Sequence, residues 1–259
     1  MADLEFCTTE RRGRVLVVTL NRPEVMNAVH AAMSHELHGV WNDFAADPDL
    51  WVAVLTGAGE RAFSAGNDLK ATAKGQKIDW PDSGFAGLTS RFDLEKPVIA
   101  AVNGVAMGGG FETALSCDII LAADHARFAL PEVRVGLFAA AGGVQRLSRQ
   151  IGRKAAVAMM LTGRHVGAEE GHALGFVNEV VPAAHLMDRA LALAEELASV
   201  SPSSIKATKR VLNAMDRAEG LADSLAYSRE VSNDLRQTED SAEGVAAFVQ
   251  KRKPEWKNR

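Results

Sequence analysis

The sequence predicts an α/β fold, and three observations carry that expectation. Short β-branched apolar runs read as strands buried on both faces. Glycine-rich turns and amphipathic helices alternate with them, and the last third of the chain shows helical periodicity almost without interruption. With 259 residues, 47% apolar and 24% charged, there is length for one large domain or two small ones around a substantial core.

The elements follow in order. Residues 6–9 and 15–20 are β-rich and flank the turn-prone Arg11-Arg12-Gly13, which predicts a hairpin; Asn21-Arg22-Pro23 then breaks the strand. Over 31–44, Met33, Leu37, Val40, Trp41 and Phe44 recur at three- and four-residue steps and predict a helix. Residues 51–56 and 98–102 (VIAAV) are continuous apolar runs of the length of buried strands. Between them, 57–92 is glycine-rich and irregular, with one helix expected near 87–94; loops of this length in a compact domain are usually functional. A helix is predicted from Gly109 to Leu115, then strands at 119–122 and 127–130. Helices follow over 144–151, 154–161 and 168–174, a strand over 177–181, and helices over 183–199, 202–215, 219–236 and 240–252.

Composition excludes several classes. The longest apolar stretch, 97–108, is interrupted by Asn103 and Gly104 and falls short of the roughly 20 residues of a bilayer span, so no membrane partner is expected. The first residues contain no apolar signal core, which predicts a cytoplasmic protein with Cys7 and Cys117 as reduced thiols. A net charge of -4 with scattered basic residues gives no footprint for nucleic acid.

Most motifs yield to ordinary readings. Gly57-Ala58-Gly59-Glu60-Arg61-Ala62 has the spacing of a dinucleotide-binding turn, but no amphipathic helix follows. Ser64 lacks the first glycine of a nucleophile elbow. His35 and His38 are three apart, not the four of a zinc helix, on a segment expected to face solvent, so no metal site is predicted. Two turns remain. The glycines at 108–110 lie between a strand and a helix start, where N-H groups lack intrahelical partners, although the pattern also suits a tight packing turn. Ala65-Gly66-Asn67-Asp68 is a second such turn. Side by side, two turns of this kind form a two-donor oxyanion hole for a thioester carbonyl. Glu112 and Glu132 stand in apolar company, where a carboxylate is costly unless paired or protonated; singly, each also suits a helix cap or a loop.

These motifs together resemble the crotonase (enoyl-CoA hydratase/isomerase) superfamily nearly end to end. The likeness runs through Asn21-Arg22-Pro23 with Asn27-Ala28, Ala62-Phe63-Ser64-Ala65-Gly66-Asn67-Asp68-Leu69-Lys70 and Lys96-Pro97-Val98 to Asn103-Gly104. It continues through Gly108-Gly109-Gly110, Cys117-Asp118-Ile119, Phe128-Ala129-Leu130-Pro131-Glu132, Gly142-Gly143 and Ala173-Leu174-Gly175-Phe176-Val177. The resemblance implies a ββα spiral core over 1–195 and a C-terminal helical region over 196–259 that serves oligomerisation. It implies reversible syn hydration of a 2-enoyl-CoA thioester, with the N-H groups of Asn67 and Gly109 as oxyanion donors and Glu112 and Glu132 as the acid/base pair. Met26, Ala28, Ala65, Asn67, Asp68, Leu69 and Lys70 would hold coenzyme A, and Phe248 and Lys251 its nucleotide end from a neighbouring subunit. No cofactor is implied beyond the coenzyme A of the substrate, and the implied assembly is a homotrimer or a dimer of trimers. The alternatives are a double-bond isomerase of the same superfamily and a non-catalytic RNA- or partner-binding scaffold.

Within the superfamily the chain is most similar to the carnitinyl-CoA dehydratase (crotonobetainyl-CoA hydratase) subgroup, through Gly84-Phe85-Ala86-Gly87-Leu88-Thr89, Gly110-Phe111-Glu112 and Lys251-Arg252-Lys253-Pro254-Glu255-Trp256-Lys257. It departs at Asn67, where that subgroup tends to have Trp, and at Ala139-Ala140-Ala141, where it tends to have Pro-Asp-Ser. A quaternary ammonium profits from an aromatic face or a nearby acid, so the likeness carries the chemistry and leaves the acyl group, short-chain enoyl or crotonobetainyl, open.

Overall fold

The computed structural model describes residues 4–69, 79–215 and 220–259. β1 (Cys7–Arg12) and β2 (Val15–Leu20) form the predicted hairpin, with Cys7 opposite Leu20 and Arg12 opposite Val15. The turn falls at Gly13-Arg14, so Arg11 and Arg12 belong to the strand. Helix Ala31–Ala46 buries all five predicted apolar residues, Met33, Leu37, Val40, Trp41 and Phe44, and His30 caps it by accepting from Met33 N at 3.2 Å.

Among the described residues, ten strands make two sheets. The larger has the order β1-β2-β3-β5-β7-β10, with β3 (Val52–Gly57), β5 (Val98–Val102), β7 (Ile119–Ala123) and β10 (Glu179–Val181) running parallel to β2. β3 and β5 are buried at every position, as their unbroken apolar sequences require. The smaller sheet is β4 (Ala62–Ser64), β6 (Val105–Met107), β8 (Arg127–Ala129) and β9 (Val166–Gly167). Sequence reasoning missed β4, β6 and β9, because two or three residues are too few to display an alternation.

Each of β3, β5 and β7 passes directly into a short strand of the second sheet, giving β3-β4, β5-β6-helix and β7-β8 in turn. The chain therefore winds as a ββα spiral. Helix Gly109–Ser116 follows β6, and its Phe111 meets Phe128 of β8 and Phe176 with ring centroids 5.2 and 5.0 Å away; Phe128 and Phe176 are themselves 5.2 Å apart. This three-ring cluster fixes the back of the helix that presents Glu112.

The helix expected near 87–94 is absent. Phe85–Gly87 makes one 3-10 turn and the chain then stays irregular. Tertiary bonds override the local pattern: Ser34 Oγ accepts from Ala86 N at 3.1 Å, Trp41 Nε1 donates to Ala86 O at 3.1 Å, and His38 Nδ1 pairs with Ser83 Oγ at 2.7 Å. The solvent-facing reading holds for His35 and is corrected for the next three residues: Leu37 is buried, His38 is tied to Ser83, and Glu36 accepts from the N-H groups of Phe6 and Cys7 at 2.9 and 2.8 Å.

The C-terminal helices are Leu186–Ala198, Pro202–Met215, Leu221–Leu235 and Glu239–Gln250. Buried Asp240 gathers them with the tail, accepting from Ser203 Oγ at 2.7 Å, Lys257 N at 2.7 Å and Asn258 N at 3.1 Å. Cys7 and Cys117 are buried free thiols. Among the described residues no helix is long and apolar enough to cross a membrane.

Candidate active site

Two backbone turns meet at the end of the smaller sheet. After β4, Gly66 adopts φ +86, where a Cβ would lie 2.4 Å from Met107 O and 3.0 Å from Gly109 N. The bare backbone of Gly66 thus abuts the start of helix Gly109–Ser116. Three bonds hold this turn: Ala65 N to Met26 O at 2.9 Å, Val29 N to Gly66 O at 2.8 Å and Asp68 N to Val29 O at 3.0 Å. Gly109 opens its helix, so its N-H has no intrahelical acceptor and sits at the positive end of the dipole. Gly66→Ala combines a left-handed φ with a backbone clash. It is expected to destabilise by more than about 1 kcal/mol in urea denaturation and to lower turnover together with stability.

Asn67, Gly109, Glu112 and Glu132 line one cleft of about 260 Å³. Glu112 is only 3% exposed. Burial pushes its carboxyl up to about 7, and the charge of Glu132 adds to this, while the N-H groups of Gly143 and Ala141 favour the ionised form. Its Oε1 accepts from Gly143 N at 2.8 Å. Glu132 opens a 3-10 turn (Glu132–Val135) and lies over Gly108, where a Cβ would stand 2.9 Å from its Oε1. Burial raises its carboxyl as well, and its Oε2 is buried with no hydrogen-bond partner among the described residues. An orphaned buried carboxylate oxygen is a place for a ligand or a water.

The remaining predicted residues fall into three groups. Met26, Ala28, Ala65 and Asp68 gather around the Gly66 turn. Arg22 ties them by donating to Ala28 O and pairing with Asp68 Oδ2 at 3.0 Å. Leu69 follows on the surface, and Lys70 lies outside the described residues. Phe248 and Lys251 sit at the last helix, Phe248 85% exposed and Lys251 at its left-handed C-cap; neither lines the cleft.

Trp80, Phe85 and Thr89 line the cleft from the irregular, glycine-rich stretch that the sequence marks as functional, whereas sequence reasoning missed Gly143, the donor to Glu112. The rings of Trp80 and Phe85 meet edge to face at 5.1 Å. An aromatic face is therefore present although position 67 is Asn, and it comes from another segment. A larger groove of about 380 Å³ lies between the hairpin and helix Ala31–Ala46. Two of its three acids are engaged, Glu36 with backbone N-H groups and Asp47 with Arg11 at 3.1 Å. No group of three or more His, Cys, Asp or Glu able to hold a metal occurs among the described residues.

Comparison with known proteins gives the same picture. The family model for enoyl-CoA hydratase/isomerase matches residues 10–259. A carnitinyl-CoA dehydratase of Escherichia coli O157:H7 is 46% identical over 257 residues, 96% of this chain and 97% of that protein. One from Proteus mirabilis (strain HI4320) is 45% identical over 256 residues with the same coverage. Among solved structures, an enoyl-CoA hydratase from Mycobacterium tuberculosis H37Rv superposes with a TM-score of 0.92 at 38% identity, over 98% of this chain and 99% of that one. A carnitinyl-CoA hydratase from Mycobacterium avium does so with a TM-score of 0.78 at 42% identity, over 98% and 99%. By its sequence, its fold and the match over residues 10–259, the chain belongs to the enoyl-CoA hydratase/isomerase family.

Proposed function

We propose that the protein catalyses reversible syn addition of water to a 2-enoyl-CoA thioester and the reverse dehydration of the 3-hydroxyacyl-CoA. The observation that carries this reading is the pairing, in one cleft, of two carboxyls raised by burial with the open N-H at a helix start. The thioester carbonyl lies against the N-H groups of Asn67 and Gly109, which stabilise the enolate as it develops. A water rests between Glu112 and Glu132. The ionised carboxylate of the pair takes its proton as oxygen bonds to Cβ, and the protonated one delivers a proton to Cα. Elimination retraces the same steps. A pair with one proton between them meets both needs, and burial, which raises both carboxyls, favours that state.

Coenzyme A is held by Met26, Ala28, Ala65, Asp68, Leu69 and Lys70, and no further cofactor takes part. Large apolar side chains exposed on the helices after residue 195, among them Leu212, Leu221, Val245 and Phe248, support an oligomerisation region there and a homotrimer or dimer of trimers. In that assembly Phe248 and Lys251 reach a neighbour's nucleotide. The reading places the enzyme in the cytoplasm. A crotonobetainyl acyl group, as the relatives' names suggest, is a second reading of the substrate, favoured by the ring of Trp80.

Incubation with crotonyl-CoA in heavy-oxygen water tests the proposal: the 3-hydroxyacyl product is expected to carry solvent oxygen. Conversion of a 3-enoyl-CoA without oxygen uptake would point to an isomerase instead. No conversion, together with tight and salt-dependent RNA binding, would point to a scaffold.

A further inference from the structure

One wall of the cleft is a curled loop whose backbone is pinned along its length. Gly84 N donates to Pro81 O at 2.7 Å, Thr89 N to Phe85 O at 3.2 Å and Ser90 N to Ser83 O at 2.8 Å, in addition to the bonds from Ala86 and Ser83 to helix Ala31–Ala46. The loop presents Thr89 and Ser90 to the cleft, with Trp80 beside them. A Cβ at Gly84 would lie 2.6 Å from both Thr89 Oγ1 and Ser90 Oγ, so the absence of a side chain there is what admits the two hydroxyls.

Thr89 is only 3% exposed, and its Oγ1 is buried with no hydrogen-bond partner among the described residues. A hydroxyl can rotate to find a partner. One left unsatisfied in a rigid wall facing a substrate cleft is therefore explained by a ligand atom. The carbonyl of the same residue accepts from Arg146 Nη2 at 2.7 Å, so the group behind this wall is a cation.

We propose that the Thr89 hydroxyl is a specificity-determining group that hydrogen-bonds an oxygen carried on the acyl chain beyond Cβ. The substrate class is then a 2-enoyl-CoA with a hydroxyl- or carboxyl-bearing tail rather than a plain alkyl one. This inference rests on the hydratase reading and narrows its acyl group. Trp80 and Phe85 pack the hydrocarbon part, and Thr89 reads the oxygen.

The experiment compares kcat/KM for crotonyl-CoA, 4-hydroxycrotonyl-CoA, glutaconyl-CoA and crotonobetainyl-CoA in the wild type, Thr89→Val and Thr89→Ser. The wild type is expected to favour at least one of the two oxygenated tails over crotonyl-CoA. Whether the hydroxyl or the carboxylate is preferred identifies which oxygen is bound. Thr89→Val, of nearly the same shape, is expected to reduce that preference, read as the ratio of kcat/KM on the oxygenated tail to kcat/KM on crotonyl-CoA, by roughly three- to tenfold. Thr89→Ser is expected to restore the preference. A wild-type preference for crotonyl-CoA or crotonobetainyl-CoA over both oxygenated tails would overturn the proposal without recourse to any variant. So would an equal loss on all substrates in Thr89→Val. Failure of the wild type to hydrate any of the four would count against the hydratase reading itself, which separates the two results.

Discussion

Glu112→Gln is expected to lower kcat for hydration of crotonyl-CoA by about 10²- to 10⁴-fold, and Glu132→Gln to do so over a similar range, the ordinary worth of a positioned acid or base. The amide keeps the volume of the side chain and, at 112, an oxygen to accept from Gly143 N, but it can neither take nor give the proton. None of the residues around the Gly66 turn is altered, so coenzyme A should bind either variant as it binds the wild type. Single-turnover kinetics and calorimetric titration with coenzyme A read the two quantities separately. Near-native turnover in either variant would remove that glutamate from the mechanism, and loss at only one of them would favour a single-carboxylate isomerase. In the wild type, kcat/KM should fall on the alkaline side as pH passes about 7, where Glu112 gives up its proton.

The same substitution should make the protein more stable, by an amount that depends on pH. Burial raises the Glu112 carboxyl from 4.5 to about 7, so the folded state binds a proton that the unfolded chain has released. Below 4.5 both states hold the proton and nothing is lost. Between 4.5 and about 7 the unfolded state gains progressively, and above that range the full penalty applies, on the order of 3 kcal/mol as an upper figure at about 1.36 kcal/mol for each tenfold change. Glutamine carries no such penalty. Urea denaturation should therefore give the Gln variant an advantage that is small at pH 4.5, grows through neutrality and levels off by pH 8. A difference that stays constant with pH would show that Glu112 is not held against its own ionisation. Stability gained where activity is lost is the usual signature of a strained functional group.

Much of this site was legible in the sequence because its parts are local. The VIAAV run of 98–102 and the glycines after it mark a strand, a turn and a helix start, and Glu112 follows in the first turn of that helix. The glutamates stood out because apolar neighbours on both sides are a costly setting for a charge. What escaped depends on contacts between distant segments. Gly143 donates to a carboxylate 31 positions earlier, and no local pattern can announce that. The 80–90 wall curls because helix Ala31–Ala46 holds it from 45 to 52 positions away, so a periodicity reading of 87–94 looked for order in the wrong place. The aromatic face was sought at position 67 and is supplied by Trp80, since a cleft needs a surface and not a particular residue number.

The three-ring cluster of Phe111, Phe128 and Phe176 bears on time as well as space. With centroids 5.0 to 5.2 Å apart, no ring can swing without its two neighbours giving way. The helix start and the smaller sheet therefore fluctuate as one body. On the proposed reading, the N-H groups of Asn67 and Gly109 then do not have to search for their orientation during a catalytic cycle. The acyl thioester, with its rotatable bonds, is the partner that gives up freedom on binding.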